Sequence, residues 1–226
     1  MILSPAGGGS EAEDNLMKRI ILFGAPGSGK GTQADKIEKE FSYKKISTGD
    51  LIRAEMHKKS IIGKKIEEYS SKGLLVPDEM IVEMVKNRVS ADDIGSGYIL
   101  DGFPRTLNQV KGLVSVPADE ELAIFLRVNE ELIVKRILSR LSCENCGKIF
   151  NTLTSAPEKE NVCDRCGGTL SRRHDDTEDI IKKRIIIYRE ETMPVIDYYK
   201  GKGSLHDIDA SEDIEKVWET IRELVG

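Results

Sequence analysis

The run Gly24-Ala25-Pro26-Gly27-Ser28-Gly29-Lys30-Gly31-Thr32 sets glycines, a lysine and hydroxyls at the spacing of a phosphate-binding loop. Glycines let backbone N–H groups converge on phosphate oxygens, and a lysine in this place reaches the terminal phosphates. Gly27, Ser28, Gly29, Lys30, Gly31 and Thr32 are therefore the candidate nucleotide cradle. One position departs from the general pattern. Gly31 stands where Ser or Thr usually follows the lysine, and the hydroxyl arrives one place later, at Thr32. Asp101 ends a second apolar run, Tyr98 to Asp101, where a carboxylate would hold magnesium beside the phosphates, directly or through water.

A second chemistry lies in the cysteines. Cys143 and Cys146, then sixteen residues, then Cys163 and Cys166 match the spacing of a four-cysteine zinc ribbon. Glycine follows each pair (Gly147; Gly167-Gly168), which suits a tight knuckle around tetrahedral sulfur. Four thiolates leave no open coordination position, so the ion is expected to be structural. Iron has the same preferences of softness and geometry, and the choice between zinc and iron stays open. Close cysteine pairs with no apolar signal segment ahead of the first strand point to a reducing, cytoplasmic compartment.

These residues need a scaffold, and composition bounds it. The chain has 226 residues, 34 Lys+Arg against 39 Asp+Glu, and a formal net charge of −5. That balance argues against a general nucleic-acid binder. The longest apolar runs, Ile20 to Phe23 and Leu122 to Leu126, fall far short of the roughly 18 residues needed to span a bilayer, so no membrane partner is expected. Residues 1–16, with Gly7-Gly8-Gly9-Ser10 and an acidic cluster, read as a flexible leader or an expression remnant, Met17 being the original start.

Lys18 to Gly24 is an almost continuous apolar run ending in glycine, the pattern of a strand buried on both faces of a parallel sheet. Ala34, Ile37 and Phe41 recur at helical spacing just after the phosphate loop. Tyr98 to Asp101 and Glu121 to Val128 repeat the strand pattern, with shorter candidates at Lys44 to Ser47 and Leu205 to Asp209. Five strands separated by helices predict a doubly wound α/β core with a parallel sheet. Ser211 is a candidate cap for a last helix whose apolar face is Ile214, Val217, Trp218, Ile221, Leu224 and Val225. Between Cys143 and about Asp176 periodicity gives way to turn formers, which predicts an inserted small domain.

With this phosphate loop, the segment Asp101-Gly102-Phe103-Pro104-Arg105-Thr106 and a cysteine-bearing insertion in order, the chain resembles the adenylate kinase family, in its long-lid form with a zinc lid. The match runs from Lys18 to Gly226, and GKGT is that family's own version of the loop. The resemblance implies a P-loop core over 17–226, with a helical AMP-binding segment at 47–76 and a zinc lid at 141–179. It implies an AMP site made of Thr48, Arg53, Leu74, Leu75, Val76, Gly102, Arg105 and Gln109, with Gln109 reading the adenine edge. On the ATP side it implies Gly27 to Thr32, Arg136, Arg140, Ile149 and Phe150. Arg173 and Arg184 would close on the phosphates, with Lys30, Arg105 and Arg140 as the other catalytic cations. Ala210, in Ile208-Asp209-Ala210-Ser211, stands where a glycine is common near the ATP base. Lid closure is likewise implied by the family, not by the residues.

The implied reaction is reversible transfer from MgATP to AMP, giving two ADP, by a monomer with structural zinc. On residue grounds alone, Arg136 and Arg140 would share one helix face, and their guanidinium forks suit phosphate. His57, His174 and His206 form no base motif, and none is required: the AMP phosphate, with a second pKa of about 6, is already an anionic nucleophile near neutral pH. Alternatives are another nucleoside-monophosphate kinase, against which Gln109 and Thr48 speak, and a zinc-ribbon NTPase dependent on nucleic acid, against which the net charge speaks.

Overall fold

The structure, a computed structural model, describes residues 16–226, so the leader expected at the start lies almost entirely outside the described residues. In chain order the elements are β1 (Lys18–Gly24), α1 (Lys30–Phe41), β2 (Lys44–Ser47), α2 (Thr48–His57), α3 (Ile61–Ser70), α4 (Asp78–Val89), β3 (Gly97–Asp101), α5 (Leu107–Leu113), β4 (Glu120–Arg127) and α6 (Glu130–Leu138). There follow β5 (Arg140–Cys143), β6 (Ile149–Asn151), β7 (Leu170–Ser171), α7 (Glu178–Ile187), a π-helical turn (Tyr188–Thr192), α8 (Met193–Gly201), β8 (Leu205–Asp209) and α9 (Ile214–Val225).

Five strands form a parallel sheet in the order β2-β3-β1-β4-β8, as the apolar runs predict. The alternation of β1 explains its burial on both faces. Ile21 and Phe23 pack on one side with Tyr98, Leu100 and Tyr199, while Ile20 and Leu22 pack on the other with Ala34, Ile37 and Ile221. At about 1.5–3 kcal/mol for each fully buried large aliphatic side chain, these two layers hold the sheet. From β1 the chain runs out to β2 at one edge, returns through β3 and then crosses β1 to β4 and β8 on the other side, and such a reversal opens a crevice at the carboxyl ends of the strands. Register brings Leu22, Asp101 and Ser47 level there, so the phosphate loop, Asp101 and the start of α2 share one edge.

α2 and α3, which make up the segment expected to bind a monophosphate, begin at serine caps. Ser47 Oγ accepts from the Asp50 N–H, and Ser60 Oγ accepts from the Gly63 N–H at 2.9 Å. The cysteine region is a three-stranded antiparallel sheet, β6-β5-β7, closed by two equivalent knuckles. In one, the Gly147 N–H donates to Cys143 O at 3.0 Å, and in the other the Gly167 N–H donates to Cys163 O at 2.8 Å. Both glycines sit at φ +71°, the left-handed conformation that a side chain would strain.

Two sequence expectations are corrected. Arg136 and Arg140 do not share a helix face: α6 ends at Leu138, and Arg140 opens β5 opposite Asn151, because pairing within the small sheet takes over from local helix propensity. Ser211 does not cap α9. Its N–H is taken by Asp209 Oδ1 at 2.9 Å in a turn, and Asp213 caps instead, accepting from the Glu215 N–H at 2.8 Å. The apolar face of α9 is nonetheless the expected one, with Val217, Trp218, Ile221 and Val225 buried.

Candidate functional site

One cleft runs from the carboxyl edge of the parallel sheet to the small sheet above it, and all the phosphate-loop, arginine and base-side candidates line it. The loop after β1 supplies the floor. Lys30 Nζ donates to Gly24 O at 2.8 Å and to Ala25 O at 2.9 Å, so the ammonium rests on the loop's own carbonyls. Burial pulls Lys30 down to about 8; Asp101 opposes the fall, and Arg105 and Arg140 add to it.

Six guanidinium groups line this cleft, those of Arg53, Arg105, Arg136, Arg140, Arg173 and Arg184, and burial lowers three of them. Burial, with Arg53 and Arg140 nearby, draws Arg173 down to about 10. Its Nε is buried with no hydrogen-bond partner among the described residues. Burial also lowers Arg105, with Arg184 and Arg53 contributing, and burial lowers Arg136. An anion placed among these groups would oppose each of these shifts. Cations packed this closely against one another, with a donor left unsatisfied, make a receptor for several phosphates.

Arg140 and Arg184 are aimed by buried acids at the base of the small sheet. Arg140 Nε donates to Asp176 Oδ2 at 2.9 Å and its Nη2 to Oδ1 at 2.5 Å. Arg184 pairs with Asp175 and lies 3.6 Å from Asp176. Arg136 Nη1 donates to Ala210 O at 2.9 Å, so the alanine found in place of a glycine offers its backbone to an arginine of the site. Phe150 is shared between the cleft and the cysteine cluster, with Ile149 beside it on the cleft wall.

On the opposite wall, Thr48 Oγ1 donates to Gly102 O at 2.9 Å and Arg105 Nε donates to the same oxygen at 2.7 Å. Gly102 has φ +80°, and a Cβ there would lie 2.8 Å from Arg105 Nη2 and 3.1 Å from Thr48 Oγ1. Only glycine leaves both side chains in place. Arg53 pairs with Asp50, and Leu74, Leu75 and Val76 line the cleft. Gln109 is 2% exposed at the end of this wall.

Two metal sites can be tested against these residues. The four sulfurs lie within 4.8 Å of one another, with Cys143 Sγ 3.5 Å from Cys166 Sγ and Cys146 Sγ 3.7 Å from Cys163 Sγ. A zinc ion with Zn–S bonds of about 2.3 Å would separate its sulfurs by roughly 3.8 Å, so the quartet fits. The Cys146 backbone N–H draws the Cys143 thiol down to about 7. The Gly168 N–H also favours a Cys166 thiolate, yet the Cys146 and Cys143 sulfurs outweigh it and push Cys166 up to about 12. A cation bound between the sulfurs would favour the thiolate form that metal ligation needs. Asp101 faces the phosphate loop, its Oδ2 3.5 Å from where a Cβ on Gly31 would sit, a position that suits a hydrated magnesium.

Several residues of the cleft escape sequence reasoning. Asp175 and Asp176 stand beside Arg173 in Ser171-Arg172-Arg173-His174-Asp175-Asp176, and adjacency to an arginine was their only signal. Lys45 Nζ bridges Asp35 Oδ1 at 2.7 Å and Gly31 O at 3.3 Å, beneath the loop. Thr192, on the π-helical turn, donates through Oγ1 to Arg105 O at 3.1 Å, and nothing in its local sequence marks it.

Comparison with known proteins agrees with this geometry. The family model for adenylate kinase matches residues 22–204. An adenylate kinase of Archaeoglobus fulgidus is 42% identical over 210 residues, spanning 91% of this chain and 97% of its own. One from Caldicellulosiruptor bescii is 45% identical over 214 residues, spanning 92% and 99%. One from Thermosipho africanus is 41% identical over 210 residues, spanning 91% and 98%.

Proposed function

The chain belongs to the adenylate kinase family, its activity being reversible phosphoryl transfer between MgATP and AMP to give two ADP, and we propose a division of that work among its own residues. The observation that carries it is the cluster of cations lowered first by burial and then by neighbouring arginines, Lys30, Arg105 and Arg173, lining one cleft, with a donor of Arg173 unpartnered among the described residues.

Gly27 to Thr32 hold the donor phosphates by their backbone, with the α1 N-terminus behind them. Lys30 leaves the loop carbonyls to follow the transferring group. Arg136, Ile149 and Phe150 flank the donor base, next to Ala210. Thr48, Arg53, Leu74, Leu75, Val76, Gly102 and Arg105 form the acceptor site, and Gln109 reads the adenine edge. Arg105, Arg140, Arg173 and Arg184 bring the two anions together and offset the charge that migrates toward the leaving oxygen. The acceptor oxygen attacks in line, and no residue is needed as a general base because that oxygen is already ionised.

Magnesium bound with ATP supplies charge neutralisation, and Asp101 is the residue that would hold it through water. Cys143, Cys146, Cys163 and Cys166 would hold a structural zinc that gives the lid a core. The segments 47–76 and 141–179 are the two pieces that we assign to closure over the nucleotides, which keeps water from competing as the acceptor. Among the described residues no helix is long and apolar enough to cross a membrane. We place the protein in the cytoplasm as a monomer, in line with its unoxidised cysteine pairs.

The test is a coupled assay with MgATP and a panel of AMP, GMP, CMP and UMP, beside metal analysis of the purified protein. ADP formation strongly favouring AMP, with about one zinc per chain, is the expected result. A pyrimidine monophosphate used as well as AMP would overturn the acceptor assignment, and a protein purified with iron would overturn the metal.

A further inference from the structure

The side-chain amide of Gln109 is held at both ends. Its Oε1 accepts the Arg105 backbone N–H at 2.7 Å, and its Nε2 donates to Asp78 Oδ1 at 2.8 Å. Asp78 Oδ2 accepts from Thr106 Oγ1 at 2.9 Å, and that hydroxyl in turn accepts the Gln109 backbone N–H at 3.1 Å as the cap of α5. One carboxylate, at the first position of α4, thus ties α4 to both the cap and the amide of α5.

Orientation is the consequence. A backbone N–H can only donate and a carboxylate can only accept, so Arg105 and Asp78 independently demand the same way round for the amide. The amide keeps one lone pair and one N–H for a ligand. A 6-aminopurine presents a donor at position 6 and an acceptor at position 1. A 6-oxopurine presents an acceptor at position 6 and a donor at position 1, and would be served only by the flipped amide. We propose that Asp78 is a positioning residue that locks the Gln109 amide and so sets the preference of the acceptor site for 6-aminopurine over 6-oxopurine monophosphates. The inference rests on Gln109 being the base reader.

Asp78→Ala, Asp78→Asn and Gln109→Ala, assayed with MgATP and either AMP or GMP, separate the two ideas. In Asp78→Ala the ratio of kcat/KM for AMP over GMP should fall by about 10- to 100-fold, the range for one hydrogen bond to a charged partner. KM for AMP should carry most of that fall, with KM for ATP unchanged. Asp78→Asn can still present an oxygen to Gln109 Nε2 and should keep the wild-type ratio. If the alanine variant does not fold, Asp78→Glu, which keeps the charge but displaces the carboxylate by one methylene, should lose the ratio in its place. An unchanged ratio in the alanine or glutamate variant while Gln109→Ala loses it overturns the lock and leaves the reader standing. An unchanged ratio in Gln109→Ala overturns the reader itself. Equal losses toward AMP and GMP in Asp78→Ala, or an asparagine variant as poor as alanine, would also overturn the proposal.

Discussion

Around the parallel sheet, Ile20, Ile99, Ile124 and Ile221 are wholly buried in one layer and Ile21, Leu100 and Tyr98 in the other. In the small lid sheet the buried apolar cluster is Cys143, Phe150, Cys163 and Leu170, and half of it is thiol. Two large side chains contribute a few kcal/mol of burial against about 1–2 kcal/mol of backbone entropy for each ordered residue. Packing therefore holds the sheet, while the small sheet has little apolar core beyond a sulfur cluster that could hold a metal ion. Each region carries part of one cationic site. Lys30 stands at the start of α1, against the packed sheet, and Arg140 and Arg173 stand on or beside the sheet that carries the four sulfurs.

The largest expected effects break the site from either side. Lys30→Met on the core and Arg140→Ala on the lid should each cut kcat steeply, the arginine by roughly 10³ to 10⁵. The two should differ in the fold. Lys30→Met should melt like wild type, whereas Arg140→Ala leaves Asp176, with 1% of its side chain exposed, as a buried acid short of a partner. Calorimetry beside the kinetic assay checks this, and equal melting of both variants would blur the division between core and lid.

Next comes the core's own packing. Leu100→Ala empties a fully buried position of β3 and should cost about 2–5 kcal/mol in denaturant unfolding, with metal content unchanged. Zinc removal, or Cys163→Ser with Cys166→Ser, should do the reverse. Hydrogen exchange should rise across β5 to β7 while protection of β1, β3 and β4 persists. The global midpoint should fall by only some 2–4 °C for each kcal/mol lost. Nucleotide binding to the loop should survive, and an apo lid still protected from exchange would show that the sulfurs are not its core.

The smallest effect is in pH. Lys30, lowered to about 8, stays charged below that value and loses its proton above it unless phosphate is bound. Nucleotide binding should therefore take up a proton above about pH 8, with ATP affinity weakening by up to about tenfold per pH unit. The sign for folding is opposite to that of a stabilising cation. Because the unfolded lysine holds its proton more tightly, the unliganded protein should gain stability as pH rises through 8 toward the ordinary lysine value. Titration calorimetry in buffers of different ionisation enthalpy reads the proton uptake, and Lys30→Met should abolish it.

Sequence alone determined whatever depends on short runs of chain. The phosphate loop, the cysteine pairs, the apolar strands and the apolar face of α9 each follow from residue type and spacing within about a dozen residues, because backbone propensity and side-chain periodicity act at that range. Residues far apart in the chain were joined only by the tertiary structure. Arg140 left a helix for a strand because Asn151 paired with it, and Asp213 took the cap of α9 because Asp209 had already engaged Ser211. Asp176 beside Arg140, Thr192 under Arg105 and Asp78 against Gln109 are separated by 36, 87 and 31 positions. No local pattern marks such partners, since an acid or a threonine is an ordinary surface residue until the fold buries it against the one donor or acceptor it can satisfy.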